Sequence, residues 1–115
     1  MLIVERTVGN ITILDVSGPL AEGDGDEVFR DAVNALVERG RTRVLLNLAE
    51  VPFLDSTGLG VLASKHVTLR RRDGQLKICN ISARIRRVLE TTKLLHVFEV
   101  FDSEAEAVRS FGPTS

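Results

Sequence analysis

The sequence contains no tryptophan, no tyrosine and a single cysteine, Cys79, in 115 residues. One thiol cannot close a disulfide within the chain, which agrees with a reducing cytosol. Aromatic residues are 4% of the total, too few for a surface that stacks nucleic-acid bases. The formal net charge of −1 argues against a dedicated nucleic-acid binder, which is usually basic. No apolar stretch approaches the roughly 20 residues of a membrane-spanning helix. The start, Met1-Leu2-Ile3-Val4-Glu5-Arg6, lacks the basic and then apolar regions of a secretory signal. A cytoplasmic protein is expected, with no membrane insertion and no direct nucleic-acid partner.

What is present is globular in character. Hydrophobic residues make up 43% and charged residues 27% of the chain. The length suits one core. A single domain is therefore expected over 1–112, with a short frayed tail at 113–115. Leu2 to Val8 and Ile11 to Ser17 read as two strands around a Gly9-Asn10 turn. Gly18-Pro19 ends the second strand. A loop of alternating glycine and acid follows, Ala21-Glu22-Gly23-Asp24-Gly25-Asp26. A calcium loop would need a longer ligand ladder closed by a bidentate glutamate, so no metal is assigned. Val28, Phe29, Ala32, Val33, Leu36 and Val37 recur at helical spacing, with Asp24 or Asp26 as the cap and Gly40 as the stop.

Val44, Leu45, Leu46 and Leu48 form a near-continuous apolar run, which suits a strand covered on both faces. Pro52 stops any helix from passing through. Asp55 and Ser56 stand where the next helix needs its cap, ahead of an apolar stripe of Leu59, Leu62, Ala63, His66 and Leu69. That helix ends in Arg70-Arg71-Arg72, cations that suit its C-terminal dipole, with Gly74 as the stop. Gln75 to Asn80 reads as a strand, and Ser82 as the cap of a helix with Ile85, Val88 and Leu89 inward. Val97 to Val100 reads as a last strand, opened by His96. Ser103-Glu104-Ala105-Glu106 is a capping box for a final helix that stops at Gly112-Pro113. Two strands followed by alternating helix and strand predict an α/β domain, a mixed sheet with helices packed mainly on one side.

The segment L-N-L-A-E-V-P-F-L-D-S-T-G-L-G-V-L, from Leu46 to Leu62, resembles the signature of the anti-sigma factor antagonists, bacterial members of the STAS domain family. A weaker likeness continues through I-C-N-I-S-A-R-I-R-R-V-L-E-T-T-K-L. The resemblance implies a STAS-like mixed sheet of about five strands with about four helices. It also implies a non-enzymatic partner switch. An anti-sigma factor with serine-kinase activity would bind when Ser56 is unphosphorylated and so release a sigma factor. Phosphorylation of Ser56 would end the contact, and a phosphatase would reset it. The surface implied is Asp55, Ser56, Thr57, Gly58, Leu59 and Gly60, with Ser64 and Lys65 as exposed residues of the same helix. In many relatives the loop before the first helix reads Gly-Glu-Leu-Asp. Here it is Gly18-Pro19-Leu20-Ala21, so the acid is missing at Ala21, and Glu22 or Asp24 stands nearby.

The residues themselves leave two readings of Ser56, a helix cap or a modifiable hydroxyl on a partner surface. Three other chemistries are weighed against them. A serine hydrolase needs a base within hydrogen-bond reach of Ser56. The chain has two histidines, His66 and His96, and local sequence brings neither close. The hydrolase elbow G-x-S-x-G is absent, and Asp-Ser-Thr-Gly has no second copy to make a carboxylate pair. Gly58 and Gly60 do not form a phosphate-cradling loop, since G-x-x-x-x-G-K is missing. No cofactor is assigned. A docking subunit for a transporter ATPase or a stress-signalling assembly is the alternative within the same fold. No long exposed apolar stripe demands a dimer, so a monomer or weak dimer is expected.

Overall fold

Residues 1–112 are described in this computed structural model of the chain, so the expected tail at 113–115 lies outside the described residues. Strands β1 (Leu2–Val8) and β2 (Ile11–Ser17) form an antiparallel hairpin, and Gly9 turns it with φ of 60°. Then follow α1 (Gly25–Glu38), β3 (Arg43–Glu50), α2 (Ser56–Arg71) and β4 (Gln75–Cys79). The chain continues through α3 (Ala83–Thr91), β5 (Glu99–Phe101) and α4 (Glu104–Ser110). The sheet has the order β1-β2-β3-β4-β5, with only β1 antiparallel. The expected mixed sheet is present.

Alternation along β2 divides the core. Leu14 and Val16 face one way, into a cluster with Phe29 and Val33 of α1, Leu62 and Leu69 of α2, and Ile85 and Leu89 of α3. Ile11 and Ile13 face the other way and join Leu45, Cys79, Ala107 and Phe111 under α4. Three helices therefore cover one face and the short α4 part of the other. This explains the near-continuous apolar run in β3, whose residues are needed on both faces. Each fully buried Leu, Ile or Phe contributes about 1.5–3 kcal/mol relative to exposure.

Helix α4 is also held by charge. Buried Lys77 donates to the carbonyl and the hydroxyl of Ser110, each at 2.9 Å, and Arg43 donates to the Phe111 carbonyl. Two cations thus meet the C-terminal end of α4, where the helix dipole favours them. At its other end Arg6 bridges Asp15 and Glu104.

Several sequence expectations shift locally. Asp24 precedes α1, but its side chain does not cap it; the carboxylate accepts from the Met1 amino group instead. Asp26 is buried and does not cap α1 either. The residue that turns the end of α2 is Asp73, with φ of 58°, rather than Gly74. Gly74 is required because a Cβ there would lie 2.2 Å from the Thr42 carbonyl oxygen. The last strand begins at Glu99, not Val97. Val97 and Phe98 both donate to the Leu94 carbonyl, so this segment is a turn that seats Phe98 in the core, and His96 lies in the turn. On β1, Leu2, Val4 and Val8 form a short exposed apolar row on one face.

Candidate functional site

The parallel strands β2, β3 and β4 bring the loops at their C-terminal ends to one edge of the sheet. The loops after β2 and β3 are joined there. Leu20 donates its N–H to the Phe53 carbonyl at 3.2 Å, and Asp55 donates its own to the Leu20 carbonyl at 3.4 Å. Leu20 and Leu54 form an isolated parallel bridge, and both side chains are buried. Pro52 prevents the chain from continuing as helix, so α2 starts only beyond this stitch.

Asp55 is the N-cap of α2. Its Oδ1 accepts from the Gly58 N–H at 2.8 Å, and its Oδ2 accepts from the Glu22 N–H at 3.0 Å. One carboxylate therefore closes the helix start and hooks the β2–α1 loop to it. The Gly58 and Glu22 amides hold the Asp55 carboxyl below the usual carboxylate range, so it stays ionised near neutral pH. Ser56 is the first residue of α2, and its side chain is exposed. Since Asp55 takes the cap, the Ser56 hydroxyl is not spent on it. Of the two readings of Ser56, the cap is therefore the one that fails.

The eight residues expected at a partner surface divide between two faces of α2. Ser56, Gly60 and Ser64 lie on one exposed stripe at four-residue spacing, and Asp55, Thr57 and Leu59 are partly exposed beside it. Gly58 is buried. A Cβ on it would stand 1.9 Å from the Leu20 carbonyl oxygen, so it serves close approach within the chain, not approach by a partner. Gly60 has nothing within 4 Å of a Cβ and does leave room outside. Lys65 corrects the sequence reading: it is 8% exposed. Its stem fills the seam between α1 and α2, and its ammonium donates to Asn34 Oδ1 at 2.8 Å. Periodicity places Lys65 next to Ser64 in sequence, but a step of one residue turns a helix by about 100°.

The two acids near Ala21 differ in their surroundings. Asp24 is engaged by the amino group of Met1, whereas Glu22 is exposed and its backbone is fixed to Asp55. Two residues at the corner had no signal in the sequence pattern as surface partners. Phe53 is half-buried, and the Arg84 guanidinium of α3 stands over its ring, 5.1 Å from the centroid. They are 31 positions apart and meet only because β3 and β4 run parallel. His66 lies ten residues beyond Ser56, about 15 Å along a helix. Its ring packs edge-on against Phe98, and burial pushes its pKa down. The fold thus brings no histidine base to Ser56 from α2.

A profile of the STAS domain matches residues 3–107. The chain belongs to the STAS domain family. It is 26% identical over 98 residues to the anti-sigma F factor antagonist of Paenibacillus polymyxa, covering 85% of this chain and 84% of that protein. The anti-sigma-B factor antagonist of Listeria monocytogenes is 38% identical over 61 residues, 53% of this chain and 54% of that one. In structure, the STAS chain is similar to the unphosphorylated anti-sigma factor antagonist SpoIIAA, with a TM-score of 0.73 and 20% identity. That likeness covers 97% of this chain and all of the other, and it establishes the fold. Among the described residues, no helix is long and apolar enough to cross a membrane.

Proposed function

We propose that this STAS domain, residues 1–112, is an anti-sigma factor antagonist controlled by phosphorylation of Ser56. The observation that carries the reading is the division of labour at the corner: Asp55 caps α2 and Ser56 is left exposed with an uncommitted hydroxyl. The relative from Paenibacillus polymyxa supports the kind of partner. Unphosphorylated, the corner docks on an anti-sigma factor with serine-kinase activity, in the cytoplasm, and a sigma factor is released. The docking surface is Asp55, Ser56, Thr57, Leu59, Gly60 and Ser64.

Phosphate on Ser56 adds about −1.5 to −2 charge at neutral pH. The helix start tolerates that charge within the domain. A partner face shaped for a neutral hydroxyl does not, because burying an unpaired dianion is costly. Asp55 stays ionised beside it and adds like-charge repulsion. The partner is therefore ejected without refolding of the domain, and a phosphatase restores binding.

The test is a pull-down from the source lysate with wild type, Ser56→Ala and Ser56→Asp, with mass spectrometry for phosphate on Ser56. A small ATP-binding serine kinase held by wild type and Ser56→Ala, and lost by Ser56→Asp, is expected. Equal capture of that kinase by all three refutes the switch.

A further inference from the structure

Where the Glu22 amide hooks the β2–α1 loop to Asp55 there is a recess of about 270 Å³, lined by Pro19, Ala21, Glu22, Asp24, Gly25 and Phe53. We propose that this recess is a socket for one apolar side chain of the anti-sigma factor, flanked on the partner by a basic residue toward Glu22 and an acidic residue toward Arg84. The inference rests on the partner-switch reading and adds a place and a chemistry for specificity.

The recess is preformed. Leu20, between the lining residues Pro19 and Ala21, is fully buried, and the loop is hooked to Asp55 through the Glu22 amide. At Gly25 a Cβ would fall 2.1 Å from the Pro19 carbonyl oxygen, so α1 and the loop are in direct backbone contact. A rigid socket loses little conformational entropy on binding. Its volume lies below the roughly 300–1,000 Å³ of small-molecule sites, which favours a side chain over a cofactor.

Its floor is apolar, from Pro19, the Ala21 methyl and the Phe53 ring. Acids line it, and a cation stands next to one of its lining residues. Glu22 is exposed, while Asp24 is already engaged by the Met1 amino group. Across Phe53 stands Arg84, exposed and, among the described residues, in no ion pair; its neighbour Arg86 has Asp102. An apolar plug between a cation and an anion satisfies both charges, and the reverse polarity would place like charges together. Ala21 is the deciding residue. An acid at this position would put a carboxylate into the apolar floor, so Ala21 selects a plug that relatives carrying Asp there would reject.

The experiment uses the purified ATP-binding anti-sigma factor of the source organism and the full chain. Kd is measured for wild type, Ala21→Leu, Ala21→Asp, Arg84→Glu and Ser56→Asp, each checked for a wild-type melting profile. Ala21→Leu and Ala21→Asp are expected to weaken binding at least tenfold, and Arg84→Glu fivefold or more at low salt. A complementary readout uses Ala21→Cys. Native Cys79 is buried and its thiol is pushed up to about 11, so maleimide labels position 21 selectively. Partner binding should protect that label site. Loss of binding by Ser56→Asp with unchanged Kd for the Ala21 and Arg84 variants overturns the socket and leaves the switch intact. Weakening by the Ala21 variants with none by Ser56→Asp supports the socket and overturns the switch.

Discussion

Two glycines, two residues apart on one helix, should respond to alanine with opposite signs. At Gly58 an added Cβ falls 1.9 Å from the Leu20 carbonyl oxygen and 2.7 Å from its carbon. The oxygen contact alone is about 1.5 Å inside ordinary van der Waals range. No side chain can yield, because the obstacle is the backbone of a fully buried residue. The start of α2 must retreat from the β2–α1 loop. That strains the Leu20–Phe53 and Asp55–Leu20 hydrogen bonds and the hook from Glu22 to Asp55. Overpacking of this kind costs about 1–3 kcal/mol, and each weakened hydrogen bond about 1 kcal/mol more. Alanine's better helix propensity returns at most ~1 kcal/mol. The net expectation for Gly58→Ala is a loss of about 3–5 kcal/mol, or a Tm lower by roughly 12–30 °C. Gly60 has open space around a Cβ, so Gly60→Ala should gain about 0.5–1 kcal/mol. Urea titration and thermal melts of both variants decide the matter. A Gly58→Ala protein as stable as wild type would refute the assignment of Gly58 to internal packing and return it to the partner surface.

Two further outcomes follow from the same structure. Ser56→Ala should change stability by less than about 0.5 kcal/mol, whereas Ser82→Ala, which removes the cap bonded to the Ile85 N–H at 3.1 Å, should cost about 1 kcal/mol; chemical denaturation compares them directly. Phe111→Ala should cost about 3 kcal/mol or more and loosen α4 from the sheet, so the buried Cys79 thiol should react with a disulfide reagent at pH 8 at least tenfold faster than in wild type.

The fold was readable because the local signals agree with the tertiary arrangement. The strand pair around Gly9-Asn10, the caps at Ser82 and Ser103 and the apolar run in β3 all depend on near neighbours, and all stand where expected. The misreadings share one cause. Val97 and Phe98 have strand-like composition, but burial of Phe98 in the core holds them as a turn. Gly74 reads as a helix stop, but its lack of a side chain answers to Thr42, on the far side of β3 in the chain. Asp24 reads as a cap, but the Met1 amino group claims its carboxylate.

The sequence by itself determined the α/β class, the corner at Asp55-Ser56 and the family, because periodicity, capping and a contiguous motif are properties of neighbouring residues. Only the tertiary structure decided that Asp55, not Ser56, is the cap. It also decided that Lys65 and Gly58 face inward, that Phe53 and Ala21 line one recess, and that Arg84 stands over the Phe53 ring. These are contacts between loops and helices far apart in the chain. They exist because parallel strands deliver their C-terminal ends to the same edge of the sheet.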